Sequence, residues 1–364
     1  MLVRAGDDGR GRGKGMPMAR PIGQSPVTLH DVAREAGVSL ATASRAINGS
    51  ERKVKQDYRE RVLAAAARLN YKPNRAAQAV ARGSTMTVAL LVGDIADPYF
   101  SSIAAGVISA SEEAGLVVTM AATQRDPDRE LDLVRAMVSQ RPKILVVAGS
   151  RLTDDPNVAK LVDELTAFEA SGGRVVMISQ PELPFNTVVL DNVTGARQLA
   201  EHLLDLGYRS FAIISGAPTL MTSNERVQGF LDGLGAAGIS IADENIVSTE
   251  FTRDGGYAGA QQLMESGLDH IELIFAVNDV MAVGAMSALR EAGRELGTDI
   301  AVAGYDDIPT VQDVTPTLTT MRLPLVEVGR SAIQLAHASP PGLGPARTEI
   351  SAAVILRAST PRIR

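Results

Sequence analysis

From Met86 onward the sequence alternates between short apolar runs and helical stretches, and that alternation fixes the fold more tightly than any other feature. TVALLVGDI, LVVTMAAT, KILVVAGS and RVVMIS are separated by SSIAAGVISASEEAG, DRELDLVRAMVSQ and VAKLVDELTAFEASGG. Continuous apolar strands joined by helical crossovers belong to a parallel sheet covered on both faces. After TVVLDN the pattern restarts with TGARQLAEHLLDLG, FAIISGA, ERVQGFLDGLGAAG, NIVSTEF, GGYAGAQQLMESG, IELIFAVND, VMAVGAMSALREAG and IAVAGYDD. Two doubly wound subdomains are therefore expected, sharing the tail LTTMRLP, LVEVGRSAIQLAH and EISAAVILRAST. The predicted body spans 85–364, with an N-subdomain of about 85–190 plus 322–338 and a C-subdomain of about 191–321 plus 346–364. Open parallel sheets bind ligands beyond the carboxyl ends of their strands, so a cleft between two of them is a natural small-molecule site.

The first 84 residues are of another kind. The chain carries a formal net charge of −6, yet through Ser84 there are 16 Lys/Arg against 7 Asp/Glu, leaving 20 against 35 for the remainder. A basic head on an acidic body points to a polyanion partner for the head, the plainer reading being a solvated basic tail. Residues 1–25, rich in Gly and Arg, read as a disordered tail, with Met16 and Met18 as alternative starts. That tail lacks the apolar centre of a secretory signal, and no apolar run reaches the roughly 20 residues of a membrane span, so a cytoplasmic protein with no membrane partner is expected.

Within the head, VTLHDVAREAGVSLATASRAINGS reads as two short helices around a glycine turn. Thr28 and Asp31 have capping-box spacing, Val32, Ala33 and Ala36 share one face, and Gly37 ends the helix. Ser39 can cap a second helix whose Ala43, Ala46 and Ile47 point inward while Leu40, Ala41, Ser44, Arg45 and Asn48 point outward. In a helix-turn-helix the second helix enters the major groove by its N-terminal end, and bulk on that face would obstruct entry. VKQDYRERVLAAAARLNYKP supplies a third helix with Val62, Ala65, Ala66 and Leu69 inward, predicted to stop at Tyr71 before Pro73. Residues 26–72 thus form a predicted all-α DNA-binding domain. Asn74–Arg82, NRAAQAVAR, is helical in composition but too short to be stable alone, so 73–84 reads as a hinge helix or a flexible linker.

These motifs resemble the lactose-repressor (LacI) family of transcription regulators, whose head carries VTxxDVAxxAGVSxxTVSRxxN followed by LNYxPN. Here Ala43 replaces the usual Val, and Lys55 stands where the family usually caps the third helix with Ser. The resemblance implies that Leu40, Ala41 and Arg45 read bases, Arg45 by a bidentate contact to guanine. It implies that Thr28, Ser39, Thr42, Ser44 and Asn48 hold phosphates, Thr28 and Ser39 either as helix caps alone or in both roles. Tyr71, Asn74 and Arg75 join that DNA-binding set, and Val80 takes the minor-groove wedge position where the family usually has leucine. The body resembles the periplasmic-binding-protein-like fold of the same family through DPYFSSIAAGV, VVLDNVTGARQLAEHLLDLGYR, ERVQGF, NDVMAVGAM, VAGYDD and LTTMR.

The candidate effector residues also have a case from their own chemistry. Arg226 opens a helix after the polar loop GAPTLMTSN, where a guanidinium can fork onto paired hydroxyls or a carboxylate. Asn278, Asp279 and Asp306 follow apolar strands and would face the cleft. Phe251 and either Tyr99 or Phe100, in loops after strands, can stack on a ring. Asp191 reads as a helix cap. Ser179 is included where a sugar-binding relative carries an acid, and Leu323 stands where some members have a polar amide. A hexose, a smaller or less hydroxylated ligand, a sugar phosphate and a purine all remain open.

No cysteine is present and four histidines are scattered, so no metal site or cofactor is expected. GxxxxGK[ST], a strand-to-helix GxGxxG, GxSxG and HExxH are missing, and SERK at Ser50 has SxxK spacing only by chance within the head, so the chain reads as a non-enzyme. The expectation is a homodimeric regulator, a repressor of a near-palindromic double-stranded DNA operator controlled by a sugar-like small molecule. A stand-alone solute-binding protein is the alternative.

Overall fold

The computed structural model describes residues 27–48, 54–72, 85–268, 270–339 and 344–363. The tail expected at 1–25 and the hinge segment 73–84, with Asn74, Arg75 and Val80, lie outside them. An N-terminal unit and the body form separate compact units.

In the N-terminal unit, α1 (Leu29–Ala36) begins where Thr28 accepts from the Asp31 amide and the Asp31 carboxylate accepts from the Thr28 amide at 3.0 Å, a reciprocal cap. It ends at Gly37, whose φ of +63° is left-handed and suits glycine, while the Val38 amide bonds the Ala33 carbonyl at 3.0 Å. The Ser39 hydroxyl accepts from the Thr42 amide at 3.1 Å to open α2 (Leu40–Asn48). α3 (Gln56–Arg68) stops earlier than the expected Tyr71, because Asn70 turns left-handed and the Tyr71 amide closes onto the Ala66 carbonyl at 2.9 Å. Val32, Ala33, Ala36, Ala43, Ala46, Val62 and Ala65 form the core, rimmed by Leu29, Ile47, Leu69 and Tyr71.

The body's first sheet is built from β1 (Thr87–Val92), α4 (Pro98–Glu113), β2 (Val117–Ala122), α5 (Pro127–Ser139), β3 (Ile144–Ala148), α6 (Val158–Ala170), β4 (Arg174–Ser179) and β5 (Asn186–Leu190). The second follows through α7 (Asn192–Asp205), β6 (Phe211–Ser215), α8 (Met221–Ala236), β7 (Ile246–Ser248), α9 (Arg253–Ser266), β8 (Leu273–Ala276), α10 (Asp279–Glu291) and β9 (Ala301–Asp306). The tail supplies β10 (Thr319–Arg322), α11 (Leu325–Ala338), β11 (Arg347–Ile350) and β12 (Ala353–Ile355). Strand orders are β11-β5-β4-β3-β1-β2 and β12-β10-β9-β8-β6-β7, parallel throughout except for β12 against β10. In both sheets the order in which strands are added reverses beside the first strand, between β1 and β3 and between β6 and β8, which are the switch points where ligands gather.

Two details differ from the sequence reading. The tail expected whole in the C-subdomain is divided, because Arg347–Ile350 pairs with β5 while Ala353–Ile355 pairs with β10. β2 is not covered on both faces: it is the edge of its sheet, with Val117 53% and Met120 40% exposed. Helix pairs close on glycine contacts. A Cβ at Gly106 of α4 would sit 1.9 Å from the Val326 carbonyl oxygen of α11, and one at Gly284 of α10 would sit 1.9 Å from that of Arg253 in α9.

Candidate functional site

Beyond the carboxyl ends of the strands lies an open cleft of about 890 Å³. It is bounded by the segments after β1, β2 and β3 of the first sheet and by those after β6 and β7 and at the end of β9 of the second. The two sides are bonded to one another along one rim. Leu152 and Leu220 form an antiparallel bridge, the Thr222 amide donates to the Ser150 hydroxyl at 2.9 Å, and the Gln180 side-chain amide donates to Thr222 Oγ1 and Glu225 Oε2 at 2.9 and 3.0 Å.

Arg226 is the best-held side chain of the cleft, only 2% exposed. Its Nε donates to Asn192 Oδ1 at 3.0 Å, Nη1 to the Val277 carbonyl at 2.8 Å and Nη2 to Asp306 Oδ1 at 2.8 Å, while the guanidinium lies 3.9 Å from the Tyr305 ring centroid. A guanidinium has five N–H donors, so this arrangement orients Arg226 and leaves donor capacity toward the cleft. Burial pushes the Asp306 carboxyl up to about 7 against the opposing pull of Arg226. Arg226 does not open its helix as expected; it lies in the second turn of α8.

Tyr99, Phe100, Ser179, Phe251 and Asp306 line the cleft with Arg226. Tyr99 and Phe100 lie in the first turn of α4, not in a loop, because Asp97 caps that helix by accepting from the Tyr99 amide at 3.0 Å. Asn278 and Asp279 do not line the cleft. Asn278 caps α10 by accepting from the Met281 amide at 2.8 Å, and its Nδ2 is buried without a hydrogen-bond partner. Asp279 is fully buried behind it, accepting from the Ile308 amide at 2.9 Å and the Thr320 hydroxyl at 2.6 Å, with its carboxyl raised well above the usual range by burial and by Asp306. Leu323 is buried in the core, and Asp191 caps α7 through the Thr194 amide.

Sequence reasoning missed the charged pairs on the first sheet's side. Arg151 makes a bidentate bond to Glu130, 2.9 and 2.5 Å, and both are buried. Arg125 reaches Asp94 at 3.3 Å and Asp97 at 3.4 Å, with its guanidinium carbon 5.9 Å from the Phe100 centroid and 5.7 Å from that of Phe251. Arg125 and Arg151 each follow an apolar strand by three residues, the same signal that selected Asp306.

On the N-terminal unit, Leu40, Ala41 and Arg45 are exposed on one face of α2, with Thr42 and Ser44 half-buried beside them. Thr28 and Ser39 cap helices, Tyr71 packs on the core, and Asn48 is the last residue of α2. An exposed, singly basic, low-bulk helix face preceded by a tight turn is the geometry of a groove-entering reader.

A helix-turn-helix unit carried on the same chain as a two-sheet α/β receptor with a polar cleft defines a reader-and-receptor DNA-binding regulator. The description "Bacterial regulatory proteins, lacI family" matches residues 28–74, and "Periplasmic binding protein-like domain" matches residues 200–360. The HTH-type transcriptional regulator CelR of Thermobifida fusca is 35% identical over 315 residues, 85% of this chain and 90% of that protein. A CelR–cellobiose complex superposes with a TM-score of 0.67 at 30% identity, covering 92% of this chain and 99% of that one. The Lac repressor dimer bound to operator and the anti-inducer ONPF gives a TM-score of 0.77 at 27% identity, covering 93% and 100%. The chain belongs to the LacI family of bacterial regulatory proteins and is a DNA-binding transcription regulator.

Proposed function

We propose that the chain is a cytoplasmic homodimeric repressor, without enzymatic activity, that binds a near-palindromic operator and is controlled by a sugar-like effector in the cleft. The observation that carries this reading is the buried Arg226, fixed by Asn192, Val277 and Asp306 at the floor of a cleft between two sheets. A side chain held by three partners with donors to spare is set to grip hydroxyls. Asn278 and Asp279 act behind that floor, Asn278 by capping α10 and Asp279 by holding Ile308 and Thr320 in the segment that follows Asp306. In the head, Leu40, Ala41 and Arg45 read bases, while Thr28, Ser39, Thr42, Ser44 and Asn48 set the register on phosphates. Tyr71, Asn74, Arg75 and Val80 complete the DNA-binding set.

Self-association is supported by the apolar side chains at the body's edge. Val117 and Met120 of β2 and Ile108 of α4 are exposed, and β2 is the edge strand of its sheet; such an edge is ordinarily covered. One short reading helix gives little affinity alone; two related by a twofold axis double the readout. Effector binding acts through the rim bonds at Gln180 and Thr222, and a coupling of about 1–3 kcal/mol, roughly 5- to 150-fold in operator affinity, is the usual scale. The test is binding-site selection with the purified full-length chain, followed by titration of the selected duplex with and without neutral sugars. A palindromic selected site whose affinity changes with a sugar supports the reading. No preference over random DNA under any condition overturns it.

A further inference from the structure

Among the described residues the cleft holds three arginines, and each is already matched to a carboxylate. Arg151 is forked onto Glu130, Arg226 is bonded to Asp306, and Arg125 is shared between Asp94 and Asp97. Asp94 lies outside the lining, which among the described residues also includes Asp126 and Asp155 and no lysine or histidine, so the carboxylates of the lining, Asp97, Asp126, Glu130, Asp155 and Asp306, outnumber its guanidiniums five to three. Asp97 and Asp126 are further fixed as helix caps, accepting from the Tyr99 amide and from the Asp128 and Arg129 amides. One nitrogen in this set makes no hydrogen bond at all: Arg151 Nε is buried without a partner, on a side chain that lines the cavity. A phosphate or carboxylate entering here would have to displace a carboxylate already in place and would face the remaining ones in a site of low dielectric. A hydroxyl faces no such penalty, since it can take one leftover N–H and donate to a carboxylate at once.

We propose that Glu130, Asp94 and Asp97 keep the arginines of the first sheet's side neutralised, so that the cleft selects an uncharged polyhydroxyl effector and rejects phosphorylated or carboxylated ones. This rests on the cleft being the effector site. Glu130 is its main specificity determinant, because its partner Arg151 is buried and offers the strongest anion-binding fork once released. Asp94 plays the lesser part at Arg125, which is nearer to solvent. In the CelR–cellobiose complex the named ligand is an uncharged sugar, which agrees with this selection for a relative.

The experiment compares the full-length chain with Glu130→Gln and Asp94→Asn, by thermal shift and calorimetric titration at matched ionic strength. The probes are glucose, cellobiose, glucose 6-phosphate and inorganic phosphate. The N-terminal unit is the same in all three proteins, so phosphate bound there cancels in the difference. The native chain should bind glucose 6-phosphate at least about tenfold more weakly than an uncharged sugar that it accepts. Glu130→Gln should gain phosphate binding by about tenfold or more, and Asp94→Asn, whose partly exposed pair is dispensable for folding, by a smaller factor in the same direction. Tighter binding of glucose 6-phosphate than of the uncharged sugars by the native chain, or folded variants that gain no phosphate binding, would overturn the inference. If neither sugar binds the native chain but both variants gain phosphate, the sugar-effector reading fails while the charge-matching inference stands.

Discussion

The N-terminal unit closes its core with five alanines and two valines, while the body seals its sheets with fully buried Leu90, Leu91, Ile144, Leu145, Phe230 and Phe275. A fully buried leucine or phenylalanine contributes roughly 1.5–3 kcal/mol, and alanine far less, so the two units differ in reserve. The small unit spends its residues on a low-bulk face and is left marginal. The large one has apolar area enough to bury the Arg226 guanidinium and the Asp306 carboxylate at the floor of its cleft and the Asp279 carboxylate behind it. This contrast predicts that single changes in the head act on folding and DNA binding together, whereas changes in the cleft alter response while the body stays folded.

The strongest test of that contrast is Val62→Asp. Val62 is fully buried at the centre of the head, and at about 0.05–0.15 kcal/mol per residue a head of this size has only about 2–7 kcal/mol in total. A buried, unpaired carboxylate costs that much, so the head should unfold and DNA binding should be lost. The body's melting transition should not move, as scanning calorimetry can read; a body transition that falls with it would break the comparison.

Next in size is Arg226→Met, with an expected cost of about 3–5 kcal/mol above neutral pH, because it strands Asp306 in the interior. The cost should shrink toward pH 5, where Asp306 takes up a proton. In the native chain the folded-state pKa of Asp306, about 7, lies above its unfolded value, so this group makes the body less stable as pH rises from about 4 through 7. Asp306→Asn should flatten that slope, leaving a residue from Asp97 and Asp279, whose carboxyls burial also raises. Chemical denaturation across pH 4–8 checks the sign. An Arg226→Met body that unfolds completely at pH 7 would show that the cleft, too, lacks reserve.

The same contrast governs what the sequence reveals. The head is legible almost residue by residue because its function is local: a cap, a glycine turn and one helix face are all encoded within a few positions, and Thr28, Gly37 and Ser39 do what their spacing implies. The body's strands and crossovers are equally plain, since each apolar run is contiguous. The cleft is less so, because it gathers side chains far apart in sequence. Arg226 and Asp306 are 80 residues apart, and Arg151 and Glu130 are 21 apart on different elements. Nothing in a strand's own pattern says which carboxylate will meet which arginine. For the same reason Asn278 and Asp279, placed at a strand end by pattern, turn out to serve a helix cap and the Ile308–Thr320 segment. The divided tail was hidden because four residues of β11 and three of β12 are too few to carry a register of their own.

Arg45→Ala should have a moderate effect, about 1–3 kcal/mol in operator affinity, together with relaxed preference at one base pair. Arg45 is exposed on α2 and contributes nothing to the head's core, so the melting transition should be unchanged. This separates reading from folding within the marginal unit. An unchanged site preference in selection would remove Arg45 from the base-reading set, and a lowered melting temperature would place it in the fold.

The smallest expected effect is at Lys55, and it is the one that discriminates two uses of a residue. Lys55 occupies the N-cap of α3 with φ −54° and ψ 139°, and its side chain makes no cap bond, so the first amides of α3 lack a side-chain acceptor. Lys55→Ser should restore one and stabilise the head by about 0.5–1 kcal/mol, visible as a small upward shift in its transition. If the lysine is kept for a phosphate instead, the same change removes one counterion-releasing contact, and the slope of log affinity against log salt should fall by about 1. A more stable head with a shallower salt slope would mean that the unit gives up part of its scarce stability for charge. A more stable head with an unchanged slope would mean that the weak cap brings no gain in DNA contact.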